Sequence, residues 1–84
     1  MQIGNKARII KDIKGKGHNK DEIIYKKGRI YALSDKIIVI EYIKQGNPTY
    51  RESFNIADVI ENKVMIEVFI NGEWVQVTKQ YFKI

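Results

Sequence analysis

Eighty-four residues make one domain at most, near the size at which a single core suffices without covalent staples. The chain has no cysteine, which excludes disulfides and thiolate metal sites, so stability must come from dense packing; sixteen isoleucines against a single leucine, Leu33, supply the material. The net charge of +5 is uneven: residues 1–44 hold eleven Lys or Arg against five Asp or Glu, and residues 45–84 hold four against five.

A one-sided basic half is the footprint expected of a polyanion partner. The competing account is a solvated, lysine-rich surface that keeps a small protein soluble. The Ile and Lys bias points to AT-rich coding, and so to a low-GC bacterium or one of its phages or mobile elements. The first residues, Met1 to Lys6, hold no apolar run of signal-peptide length, and no window approaches the ~20 apolar residues of a membrane span. A soluble, cytoplasmic protein is expected.

In chain order, residues 6–13 read as a half-buried strand, with Ala7, Ile9 and Ile13 at alternate positions and Ile10 out of step. Residues 14–20, Lys-Gly-Lys-Gly-His-Asn-Lys, hold no apolar side chain and two glycines, so an exposed, mobile loop is expected. Residues 21–25 form its extended return arm. Lys26-Lys27-Gly28 reads as a tight turn, with Gly28 supplying a positive φ.

Residues 29–33 are the next strand, with Ile30 and Ala32 on one side and Tyr31 and Leu33 on the other. Ser34-Asp35-Lys36 fits a short turn. Residues 37–43 form a strong strand: Ile38, Ile40 and Tyr42 share one face, and Glu41 marks the other, with Ile37, Val39 and Ile43, as the wetter one. Residues 44–48 form a breaker cluster ahead of a more polar strand over 49–55, where Pro48 at the start does little harm.

Residues 56–60 are the one helix candidate, with Asn55 as its cap and one or two turns at most. Residues 64–70 and 73–78 flank Asn71-Gly72, the strongest short-range hairpin signal in the chain. Tyr81, Phe82 and Ile84 in the tail are expected to pack back on the domain. The predicted core is Ile9, Ile30, Ile38, Ile40, Phe54, Val59, Ile66 and Val68. Five or six short antiparallel strands, one short helical or 3-10 turn and turn signals every eight to twelve residues argue an all-β fold, a small barrel that buries one face.

The order of strand, long polar loop, the arm Asp-Glu-Ile-Ile-Tyr, Lys-Lys-Gly-Arg and the strand Ile-Tyr-Ala-Leu resembles the first half of an SH3-like barrel. Residues 50–60 resemble the fourth strand, single 3-10 turn and closing strand of that family, and residues 74–84 resemble the same ending a second time. Which of the two closes the barrel stays open. The chain departs from peptide-binding SH3 domains: the first strand, Ile9-Ile10-Lys11-Asp12-Ile13, carries no aromatic, the middle strand reads Ile38-Val39-Ile40 where the family has a tryptophan, and residues 56–60 lack the groove proline and tyrosine. A polyproline ligand needs an aromatic-lined groove, so that function is not expected.

Catalytic chemistry finds little support. His18, between Gly17 and Asn19, is the one histidine, and a zinc site would need carboxylates to fill the remaining positions. Neither Ser34 nor Ser53 lies in a nucleophile elbow. Gly15-Lys16-Gly17 is not followed by the Lys-Ser or Lys-Thr of a phosphate loop. The carboxylate pairs Asp21-Glu22 and Glu41 with Glu52 read as surface acids. A non-enzymatic binding module without cofactor, metal, membrane or small-molecule substrate is expected.

Two partners fit. Lys14, Lys16, Lys20, Lys26, Lys27 and Arg29 cluster on the loop and its return arm, and Tyr25 and Tyr31, with Tyr42 and Tyr50 further on, offer stacking faces for nucleic acid. The alternative is a protein interaction module, a phage or plasmid accessory protein that docks an acidic partner surface. Exposed aromatics beside the basic residues favour the first; an apolar patch far from them favours the second.

Overall fold

In a computed structural model, residues 1–14 and 22–82 are described, with side chains described for 1–10 and 25–82. Alternating apolar residues build six strands: β1 (Lys6–Lys14), β2 (Glu22–Leu33), β3 (Ile37–Lys44), β4 (Asn47–Asn55), β5 (Ile66–Ile70) and β6 (Glu73–Gln76). A five-residue helix, α1 (Ile56–Ile60), joins β4 to β5, and a single 3-10 turn (Lys79–Tyr81) follows β6. All pairings are antiparallel in one sheet of order β4-β3-β2-β1-β5-β6.

That order, with one short helix between the fourth and fifth strands, is compatible with an SH3-like barrel. Among the described residues the sheet is not closed: β4 and β6 remain its two edges. It is β5, not β6, that lies against β1, with Ala7 opposite Val68 and Ile9 opposite Ile66.

The inner face gathers the core. Ala7, Ile9, Ile30, Ile38, Ile40, Tyr42, Val59, Ile66, Val68 and Val77 form one buried cluster, against which Leu33, Phe54, Tyr81 and Phe82 pack. Period-two alternation carries the eight of these that lie in β1, β2, β3 and β5 inward; Val59 comes from α1, and Val77 follows β6. Phe54 is half-buried rather than buried, because it lies on the edge strand β4. α1 adds Ile56 and Val59 to the interior, and the Ile56 amide donates to the Lys36 carbonyl at 2.9 Å, fixing the helix to the β2–β3 turn. Asn55 makes no side-chain cap bond.

Both two-residue hairpins take the same backbone solution. Asn71 and Gly72 have φ of 53° and 82°, and Gln45 and Gly46 have φ of 53° and 80°. Positive φ at both central positions twists the turn in the sense of the flanking strands. The breaker cluster therefore reduces to two residues, and Asn47 and Pro48 belong to β4, with Pro48 opposite Ile43. The second hairpin is shorter than its sequence suggests, since β5 begins at Ile66 and β6 ends at Gln76.

The expected turn at Lys26-Lys27-Gly28 does not form. These residues lie in the middle of the twelve-residue strand β2, where Gly28 faces Ala7 on one side and Tyr42 on the other. Gly28 does not take a positive φ. Its role is steric: a Cβ there would run into the Glu41 carbonyl oxygen and come within 2.8 Å of the Tyr42 Cα. Glycine lets β3 approach β2 closely where the long strand serves both halves of the sheet.

Candidate nucleic-acid interface

Because β2 continues through positions 25–31, strand alternation sorts the predicted binding residues by face as far as Ile30, and Tyr31 stands at a β-bulge against β3, where its ring is exposed. Tyr25, Lys27, Arg29 and Tyr31 project outward, away from Ile30, and Lys26 projects to the other side. Lys14 lies at the end of β1 with its side chain outside the described residues, and Lys16, His18 and Lys20 lie outside them altogether.

The outward residues of β2 meet cations from neighbouring strands. The Arg8 guanidinium of β1 lies between two rings, 4.0 Å from the Tyr25 centroid and 4.2 Å from that of Trp74 on β6. Its Nε donates to Glu67 of β5 at 2.6 Å. At the far end of the row, the Arg51 guanidinium of β4 lies 3.7 Å from the Tyr31 centroid. Lys27 and Arg29, both exposed, stand between these two stacks.

A cross-strand row passes through the middle. Lys6 is opposite Arg29, Arg29 opposite Glu41, and Glu41 opposite Arg51. On the other side Lys6 lies 5.9 Å from the Phe69 centroid, and Phe69 meets Trp74 edge to face at 5.2 Å. Opposite charges as direct cross-strand neighbours stabilise a sheet.

Glu41 is the joint of this row. Its Oε1 accepts from Arg29 Nε at 3.1 Å and Nη2 at 2.8 Å, and its Oε2 accepts from Arg51 Nε at 3.0 Å. The side chain is only 7% exposed although it lies on the outer face, because the two guanidinium groups cover it. The expected wet face of β3 is thus closed over at its one acid. Hydrogen bonds from Arg29 and then Arg51 hold the Glu41 carboxyl below its ordinary value near 4.5. Both arginines stay about half exposed, at 47% and 53%, so their outer N–H groups still face solvent.

Lys26 belongs to a separate cluster. Its Nζ lies 4.2 Å from the Tyr42 centroid, 4.7 Å from that of Tyr50 and 3.6 Å from Glu52 Oε1. Contact with Tyr50 outweighs partial burial and raises Lys26 above its ordinary value near 10.5. Burial, and then its hydrogen bond to Glu52 at 2.7 Å, pushes the Tyr42 hydroxyl far above the usual phenol range. An open groove of about 400 Å³ adjoins this cluster, with Ile9, Phe54, Val64 and Met65 in its walls.

No family model, curated protein or solved structure matches this chain.

The structure therefore brings together four of the eight predicted site residues, Tyr25, Lys27, Arg29 and Tyr31. It adds Arg8, Arg51, Lys6 and Trp74, which sequence reasoning missed. The signal for Lys6 and Arg8 was present: they alternate with the apolar Ala7 and Ile9, which fixes them on the outer face. Arg51 needed the β3–β4 register. Among the described residues no three or more His, Cys, Asp or Glu are grouped so as to hold a metal ion.

Proposed function

We propose that this chain is a non-enzymatic SH3-like module that binds nucleic acid through the outer face of β2 and its neighbours. The observation that carries the reading is the spine Tyr25-Lys27-Arg29-Tyr31, flanked by Lys6, Arg8 and Arg51, with aromatics and cations interleaved on one face. Among the described residues, five cations stand there against two carboxylates, Glu41 and Glu67, each already engaged by an arginine. Such a face keeps a positive surplus, which phosphates neutralise with release of counterions. Rings placed among the cations give bases a surface to lie on. In the sequence, the lysines at 14, 16 and 20 add to the same charge, and the expected loop over 14–20 lies outside the described residues apart from Lys14.

Lys27→Gln tests this reading with little risk to the fold, since Lys27 is exposed. In a fluorescence anisotropy titration at two salt concentrations, the parent should bind labelled oligonucleotides at low salt. The variant should bind more weakly across sequences, with a salt slope smaller by about one on a log–log plot. No binding by the parent at low salt would overturn the proposal. A protein partner with an acidic surface would then be favoured, and the exposed Ile37 and Met65 with the exposed edge strand β4 mark where it would dock.

A further inference from the structure

We infer that the nucleic acid this face takes is single-stranded, lying along β2 with bases on the tyrosine–arginine stacks at its two ends and phosphates on Lys27 and Arg29 between them. This rests on the binding reading above and adds the class of ligand.

The breadth of the face argues against a duplex groove. From Arg51 on β4 to Trp74 on β6 it crosses six strands, and with neighbouring strands ~4.8 Å apart it is ~24 Å across. The major groove of B-form DNA is ~12 Å wide and admits a helix or a two-stranded ribbon. A duplex would meet this face through its backbone alone, and its stacked bases would leave the tyrosines unused.

The arrangement along β2 fits an unpaired strand. Tyr25 and Tyr31 are six residues apart, ~20 Å along an extended strand, with both cations between them. That span suits a short run of nucleotides, at the lower end of the ~4–16 nucleotides that small barrels cover. Tyr31 is 42% exposed, so its ring is available to a base. Each terminal tyrosine already carries a guanidinium over one face of its ring, at 4.0 Å and 3.7 Å from the centroid, so a base would extend the stack from the opposite ring face. Aromatic and cation are thus positioned before any ligand arrives, which lowers the ordering cost of binding.

The experiment compares the full chain with Tyr31→Val and Tyr31→Phe. Valine keeps the strand preference and removes the ring; phenylalanine keeps the ring and removes the hydroxyl. Thermal melting verifies that each variant folds. The probes are oligothymidylate and oligouridylate of about ten nucleotides, long enough for one site, and a mixed-sequence duplex of the same length. The expected result is tighter binding of at least one single strand than of the duplex by the parent. Tyr31→Val should weaken single-strand binding by ~5- to 140-fold, the range typical of a lost base–aromatic stack, and Tyr31→Phe should retain it. The DNA and RNA arms report which sugar the site accepts. Equal affinity for single strand and duplex, unaltered in Tyr31→Val, would overturn the inference and leave nucleic-acid binding standing. If no probe binds the parent at low salt, both fall. If Tyr31→Val fails to fold, loss of single-strand preference in Tyr31→Phe would count against stacking, and its retention would support it.

Discussion

Glu41 shows how one side chain organises the outer face. Without a carboxylate between them Arg29 and Arg51 would repel each other across β3; Glu41 accepts three hydrogen bonds from the two. The folded carboxyl is held below its ordinary value near 4.5, so its contribution to stability is complete above that value and is lost as pH falls through the lower, folded one. Glu41→Gln removes this titration. The melting temperature of the parent should therefore fall more steeply than that of Glu41→Gln on acidifying below about pH 4.5, where the ordinary carboxylate titrates. Parallel melting curves for the two proteins across that range would show that Glu41 is not held as described. The sequence marked Glu41 only as a polar residue in an apolar strand. Its burial depends on partners from strands twelve residues before and ten residues after it, which alternation within one strand does not reveal.

At the scale of elements, local chemistry explains most of what was legible. Asn71-Gly72, the alternating strands and the single helix candidate at 56–60 are short-range signals; the turn and the helix formed where expected, and the strands formed with their ends shifted. The tight turn at Gly28 did not, because two long-range pairings claim the glycine: Ala7 of β1 on one side and Tyr42 of β3 on the other. A glycine needed for close approach reads the same in sequence as one needed for positive φ. That mistake also divided β2, and with it the spine of the site, since a turn at 26–28 would separate Tyr25 from Tyr31. The β3–β4 hairpin carries a visible cost. Gln45 sits at φ 53°, in a region that asparagine and glycine tolerate better than other residues. Gln45→Asn should raise the melting temperature by a few degrees, corresponding to roughly 0.5 kcal/mol in a domain of this size. A lower melting temperature would mean that the Gln45 side chain contributes more than its backbone strain costs.

For the whole molecule, the core lies on one face of an open six-stranded sheet, with Ile38 and Ile40 of β3 at its centre and fully buried. Ile40→Ala should cost roughly 2–5 kcal/mol in a urea titration, a large share of the 5–15 kcal/mol typical of domains. A loss under about 1 kcal/mol would contradict the burial, being less than typically follows from deleting a single core methylene. With the inner face committed to packing, the outer face carries the proposed site. The sequence gathered the basic residues into one half of the chain and assigned them to a loop and its return arm; the sheet order sets Lys6 and Arg8 of β1 and Lys27 and Arg29 of β2 on one face with Arg51 of β4, mixed with tyrosines. Charge placement was legible because it is a composition. The surface it builds was not, because it depends on register.

The decisive measurement is where nucleic acid lands on the folded chain. In an amide chemical-shift titration of the labelled protein with a short oligonucleotide at low salt, the shifts should concentrate at residues 25–31 of β2, at Arg8 and Arg51, and at the indole N–H of Trp74. Shifts confined to the groove beside Tyr42, Phe54 and Met65, or no shifts at all, would contradict the account.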